Sequence, residues 1–286
     1  MQQSQPPAPS PQSRALSFVA NRSQGPPLDS KLRVTLNFHP DGLGFGVNVL
    51  QRLVDEDYHS QFRTETSNGS LSAYPGGERW EWESRMFGGA YDNAPAFDRP
   101  KYGALNDQNN PYGASPRFGS CHLRLRPSVL QRCTFCYPDS YLEPQHFGIA
   151  NRMNLLNRLD QDRTKAKMDP LDLYVEAHVH GPLRMANDVE AIVLDPSFRG
   201  TEIASVASKL PCPVQWHPGL EICVQTLKRN ADYRSPQSVD LGQRIGSDGP
   251  INAFRISQYA RRHSQDRAVL KHLWHHLACF GCAQQT

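Results

Sequence analysis

The feature that most limits what this chain can fold into is a strict two-residue alternation over residues 173–180. Leu173, Val175, Ala177 and Val179 interleave with Tyr174, Glu176, His178 and His180, and an extended strand turns such a pattern into one apolar and one polar face. The same period governs residues 32–39, where Leu32, Val34, Leu36 and Phe38 alternate with Arg33, Thr35, Asn37 and His39. A third alternating stretch, residues 118–126, sets Cys121, Leu123 and Leu125 against Ser120, His122, Arg124 and Arg126. The run DVEAIVLD over residues 188–195 is more continuously apolar and reads as a more deeply buried strand.

Helical spacing appears over residues 47–56, 149–159, 202–209, 219–229, 251–261 and 265–279. Strands dominate early and helices late, so the expected class is α+β with a helical C-terminal part, not a doubly wound sheet. Residues 60–73 are polar and Thr-rich and fit either a strand or a loop. The opening MQQSQPPAPSPQSR is rich in Pro, Gln and Ser. Residues 1–28 are therefore expected to be disordered, and residues 29–286 to form one domain.

Several function classes recede on composition. No apolar run approaches the roughly 20 residues of a membrane helix. The N-terminus has neither the basic start nor the apolar middle of a secretory signal. A net charge of +3 is spread along the chain, with no basic run to indicate nucleic acid. Seven cysteines are an odd number, which favours free thiols and a reducing, cytoplasmic setting, with export by a non-Sec route as the alternative. Cys133/Cys136 and Cys279/Cys282 each have the CxxC spacing of a zinc knuckle, but the pairs lie far apart in sequence, and isolated buried thiols are the expectation.

Glu176, His178 and His180 form the sharpest chemical feature, because strand pleating aims all three to one side. A carboxylate there can act as a base, accept a ribose hydroxyl or stabilise a developing cation. The two imidazoles could instead ligate a metal, completed by His217 or His122, as in a metal-dependent hydrolase. On an edge strand the same face would merely be solvated. QFRTETSNGS over residues 61–70 offers hydroxyls and amides beside Gly69. FGGAYD over residues 87–92 is Gly-rich but lacks the Lys of a phosphate loop.

The strings SQFRTETSNGSLSA, FGGAYD, RPKYGALN, GASPRFGSCHLRLRP, TFCYPDS, YVEAHVHGPL and DVEAIVLDPSFRGT resemble an uncharacterised microbial family, domain of unknown function 3626, over most of residues 32–277. The order of a His-bearing first strand, a Ser/Thr segment and a Glu on a later strand is also similar to the ADP-ribosyltransferase arrangement. That second resemblance implies a mixed or antiparallel split sheet and NAD as co-substrate, with no metal. It further implies glycosyl transfer from NAD to an unknown acceptor, or NAD hydrolysis. In its terms Glu176 is the catalytic carboxylate, while His39, Thr66, Ser67 and Asn68 hold the cofactor. Tyr174 stands where arginine-modifying members carry a second glutamate, so arginine is not the implied acceptor. A non-catalytic ligand-binding module is the remaining alternative.

Overall fold

In the computed structural model of the chain, residues 8–42, 49–64, 72–165, 167–263 and 267–284 are described. Each alternating stretch becomes a strand. The strands are β1 (Arg33–Phe38), β2 (Lys101–Asn106), β3 (Cys121–Leu125), β4 (Cys133–Tyr137), β5 (His146–Ile149), β6 (Glu176–Val179), β7 (Val189–Leu194) and β8 (Val214–Trp216). They form one sheet in the order β5-β4-β6-β2-β1-β3-β7-β8. Every neighbouring pair is antiparallel except β7 and β8, which run parallel. The sheet is thus mixed but continuous, not split. The ladder from Lys101↔Val179 to Ala104↔Glu176 joins β2 to β6 and stitches the two halves together. A separate ribbon pairs β9 (Glu221–Ile222) with β10 (Ile251–Asn252).

The helices are α1 (Pro11–Ala20), α2 (Val49–Asp55), α3 (Gln61–Thr64), α4 (Glu78–Phe87), α5 (Leu155–Lys165), α6 (Met185–Asp188), α7 (Glu202–Ala207), α8 (Val224–Arg229), α9 (Pro236–Ile245), α10 (Ala253–Arg262) and α11 (Arg267–Phe280). Leu36, Leu123, Phe135, Val175 and Ile192 line the apolar side of the sheet. They share one core with Leu50 of α2, Leu159 of α5, Ile203 of α7, Leu241 of α9, Ile256 of α10 and Leu273 of α11. Among the described residues no helix is long and apolar enough to cross a membrane.

Three expectations are corrected. Residues 8–28 are ordered: Ser10 caps α1 by accepting the Ser13 N–H at 3.2 Å, Pro11 occupies the first turn, and Ala15 and Val19 are fully buried. Residues 1–7 of the expected tail lie outside the described residues. The helix read over 149–159 begins only at Leu155, because Ile149 is claimed by β5, where it pairs with Thr134. Within 219–229 the ribbon strand β9 precedes the short helix α8.

α1 and α4 build a second layer over the polar side of the sheet. Ala15, Val19, Met86, Phe87, Ala90 and Tyr91 pack there against Cys136 and Phe147. Helix α4 stops at Gly88, whose left-handed φ of 59° turns the chain back. That turn carries Tyr91 over β6.

Candidate active site

β6 is not an edge strand. β4 flanks it on one side and β2 on the other, so its polar face is roofed, not solvated. Register then decides the neighbours. Cys136↔Glu176 and Thr134↔His178 align across β4, while Ala104↔Glu176 and Tyr102↔His178 align across β2. Residues opposite one another in a ladder point to the same face, so Thr134, Cys136 and Tyr102 join Glu176 and His178. Phe87 closes over both imidazoles, its ring centroid 5.2 Å from each.

A chain of hydrogen bonds runs through this layer. Tyr91 Oη meets His180 Nδ1 at 2.7 Å, and His180 Nε2 meets Thr134 Oγ1 at 2.9 Å. Thr134 Oγ1 meets His178 Nδ1 at 3.1 Å, and His178 Nε2 meets Glu176 Oε1 at 2.8 Å. With both rings neutral and Glu176 ionised, one direction of donation satisfies every bond. Tyr91 donates to His180, His180 to Thr134, Thr134 to His178, and His178 to the carboxylate. Burial, reinforced by the charges of Lys101 and Arg132, pushes His180 well below its ordinary pKa. Burial, followed by the charge of Glu83, pushes Tyr91 up. Both shifts favour the neutral forms that this direction requires.

Glu176 ends the chain. Burial would raise its pKa, yet the hydrogen bond from His178 and the charge of Arg79 hold it below the usual carboxylate range. Ser140 donates to Oε2 at 3.2 Å, and the Cys136 thiol lies 3.7 Å from Oε1. Asp139 next door behaves oppositely: burial first, then the charge of Glu176, push its carboxyl up. Tyr174 donates to Asp139 Oδ2 at 2.7 Å, whereas Oδ1 is buried without a hydrogen-bond partner. Arg79 of α4 is held over the rings of Tyr102 and Trp82, at 4.6 and 5.3 Å, and its Nε is likewise buried and unpartnered. Unsatisfied buried polar atoms are uncommon, and two of them border one carboxylate. A cavity of about 300 Å³ adjoins this cluster. Ser140 forms part of its wall, with Trp82, Phe147, Arg22 and Arg85.

The structure brings together only some of the residues expected to act jointly. Glu176 is central. Thr66, Ser67 and Asn68 lie outside the described residues. His39 follows β1, four residues beyond Thr35, which shares a row with Glu176 through Ala104. Two strand spacings and four residue rises separate His39 from Glu176 by roughly 16 Å. Its ring instead packs edge-on to Trp274 at 4.9 Å, and burial pushes its pKa down to about 3. His39 is a core histidine.

The metal pairing of His178 with His180 is also corrected, since both nitrogens of His180 are committed to Tyr91 and Thr134. His122 lies on β3, three strands from β6, or about 14 Å. His217 is held by the Ser120 carbonyl at 2.7 Å and the Gly219 N–H at 3.0 Å. Among the described residues, the donor set that does converge is Cys136, Glu176 and His178, whose ligand atoms lie within 4.8 Å of one another. Cys133 and Cys136 stand three residues apart on one strand and so face opposite sides, which prevents them from sharing a zinc.

Asp139, Thr134, Tyr91 and Arg79 were not legible as site residues. Their nearest sequence signals are the TFCYPDS string and the double-glycine ends of the α4 segment, GGERWEWESRMFGG.

A family model described as Protein of unknown function (DUF3626) matches residues 33–159 and 152–279. No curated protein matches the chain.

Proposed function

We propose, for a chain that belongs to the family Protein of unknown function (DUF3626), that Glu176 is the catalytic carboxylate of an ADP-ribosyltransferase-like enzyme that cleaves the nicotinamide glycosidic bond of NAD. The observation that carries this reading is the pair of adjacent carboxyl groups pushed apart in pKa, Glu176 down and Asp139 up. Such splitting gives two like groups different proton affinities, the arrangement by which paired carboxyls take different roles in catalysis.

Cleavage of an N-glycosidic bond builds positive charge on the ribose, and a fixed carboxylate in a desolvated site stabilises that charge without reorganising. His178, backed by Thr134, His180 and Tyr91, holds Glu176 in place and keeps it ionised. Nicotinamide leaves as a neutral base and needs no acid. Asp139 Oδ1, buried without a hydrogen-bond partner, is placed to meet a carboxamide or a hydroxyl of the ligand. Arg79, with its free Nε–H, suits a phosphate or a carbonyl. Trp82 and Phe147 give the neighbouring cavity aromatic walls, and Arg22 and Arg85 outnumber Glu143 along it, a lining that suits a nucleotide. The ribosyl group then passes to an acceptor or to water.

The test is nicotinamide release from NAD by the wild-type chain and by Glu176→Gln. Release should fall by at least about 100-fold in the variant, the scale of a lost electrostatic contribution. Equal release from both, or none from the wild type, removes the proposal.

One observation favours a second reading, the convergence of Cys136, Glu176 and His178. A thiolate, an imidazole and a carboxylate with an open fourth position suit zinc. In that reading the site is a metal-dependent hydrolase. Elemental analysis of protein purified without a His tag decides between the two: near one equivalent of zinc supports the metal, and well below that supports the free carboxylate.

A further inference from the structure

The turn at Pro116–Phe118 and the turn at Pro170–Asp172 both pack against α11. Trp274 Nε1 of that helix anchors the first turn by donating to the Pro116 carbonyl at 2.8 Å. The neighbouring side chain, His275, is only 2% exposed. Its Nδ1 accepts the Nε–H of Arg234 at 3.0 Å. A neutral ring that accepts at Nδ1 must carry its proton on Nε2. That Nε2 is buried and has no hydrogen-bond partner.

What surrounds this donor is positive. Lys271 stands four residues earlier on α11 and therefore on the same helix face. Burial, then the charges of Arg117, Arg234 and Lys271, push His275 down to about 2. Burial and the same two arginines also lower Lys271. Asp172 answers Arg117 and Asp169 answers Arg234. Lys271 has no acidic partner among the described residues. Arg117 and Arg234 thus have carboxylate partners and Lys271 has none, with an unsatisfied N–H beside them. A water molecule would satisfy the N–H but leave Lys271 without a counter-charge. An oxyanion satisfies both.

We infer that His275 Nε2–H, Lys271 and Arg117 form a binding site for a phosphoryl oxyanion where the turn at Pro116–Phe118 packs against α11. Arg117 also acts by charge on Asp139 and Tyr174, so the site borders the carboxylate cluster. The inference nevertheless stands without the glycosyl-transfer reading, because neither Glu176 nor NAD enters it.

The test is calorimetric titration of the full chain with inorganic pyrophosphate in the absence of NAD, with chloride at equal ionic strength as the reference. The wild type should bind pyrophosphate, and Lys271→Met should weaken that binding at least about 10-fold. Lys228→Met removes an exposed charge from α8 and should leave the affinity unchanged. His275→Phe, which keeps the bulk of the ring but not the N–H, should weaken binding with all three cations in place. If Lys271→Met misfolds, Lys271→Gln replaces it. Equal affinities in the Lys271, Lys228 and His275 variants, or wild-type binding no stronger than nonspecific screening, would overturn the site.

Discussion

The carboxylate of Glu176 and the imidazole of His178 share one face of β6 and meet at 2.8 Å, Oε1 to Nε2. Two residues apart on a strand is the shortest spacing that gives a common face. It costs the fold one buried anion, which the relay behind His178 compensates. We predict that Glu176→Gln folds normally, because the amide oxygen still accepts from His178, while nicotinamide release collapses. A variant that loses its fold instead would assign Glu176 a structural role, and circular dichroism distinguishes the two.

Thr134 is the single hydroxyl between the two imidazoles. Thr134→Val keeps its shape but removes both contacts, leaving two buried ring nitrogens unpaired. Each such group costs about 1–3 kcal/mol, so we predict a loss of roughly 2–6 kcal/mol in urea-denaturation stability. Thr134→Ser, which restores the hydroxyl, should recover most of it. Equal stability of the Val variant and the wild type would show that the relay contributes nothing.

The buried histidines make the protein acid-sensitive. His39 and His122 are each pushed down to about 3, chiefly by burial. Their folded pKa values lie below the ordinary value near 6.5, so between these limits the unfolded chain binds more protons. Stability is therefore full above pH 6.5 and falls as the pH drops toward 3. The slope reaches up to about 1.4 kcal/mol per pH unit for each ring. Melting temperatures measured at pH 7, 6, 5 and 4 should fall progressively, and a flat profile from 7 to 5 would refute the expectation.

Glu83 is fully buried and bound by Arg99 at 2.6 Å, with Tyr102 donating at 3.1 Å. Burial lifts the Glu83 carboxyl to about 7 despite the pull of Arg99. Removing the cation by Arg99→Met should cost about 3–5 kcal/mol, the scale for a buried charge left alone. The loss should be larger at pH 8 than at pH 6, because the lower pH protonates and neutralises Glu83. Chemical denaturation of the variant at both pH values measures the difference.

Gly103 in β2 admits no side chain. A Cβ there would sit 2.6 Å from the Thr35 carbonyl oxygen and 2.9 Å from Leu36 Cδ1. We predict that Gly103→Ala destabilises the chain by about 1–3 kcal/mol, the range for overpacking. The β1–β2 pairing would be displaced first, and loss of amide hydrogen-exchange protection at Val34 and Leu105 reports it.

The sequence by itself determined β1, β3, β6 and β7 and which of their side chains share a face, because a period of two is a local property of the backbone; β2, β5 and β8 carry no such pattern. It therefore placed Glu176 and His178 together, and it set an early strand-rich half before a late helical one. Pairing was decided only by the tertiary structure. No local pattern states that β6 lies between β4 and β2, so nothing in the chain revealed that Thr134 and Cys136 would complete the face of Glu176 or that His39 would stand two strands away against Trp274. The Ser10-Pro11 cap of α1 was hidden by its Pro/Gln/Ser-rich surroundings, and the helix is held by burial of Ala15 and Val19 against distant residues. Long-range packing closed the roof over the polar face, and beneath that roof the hydrogen bond from His178 holds Glu176 down while burial and the charge of Glu176 push Asp139 up.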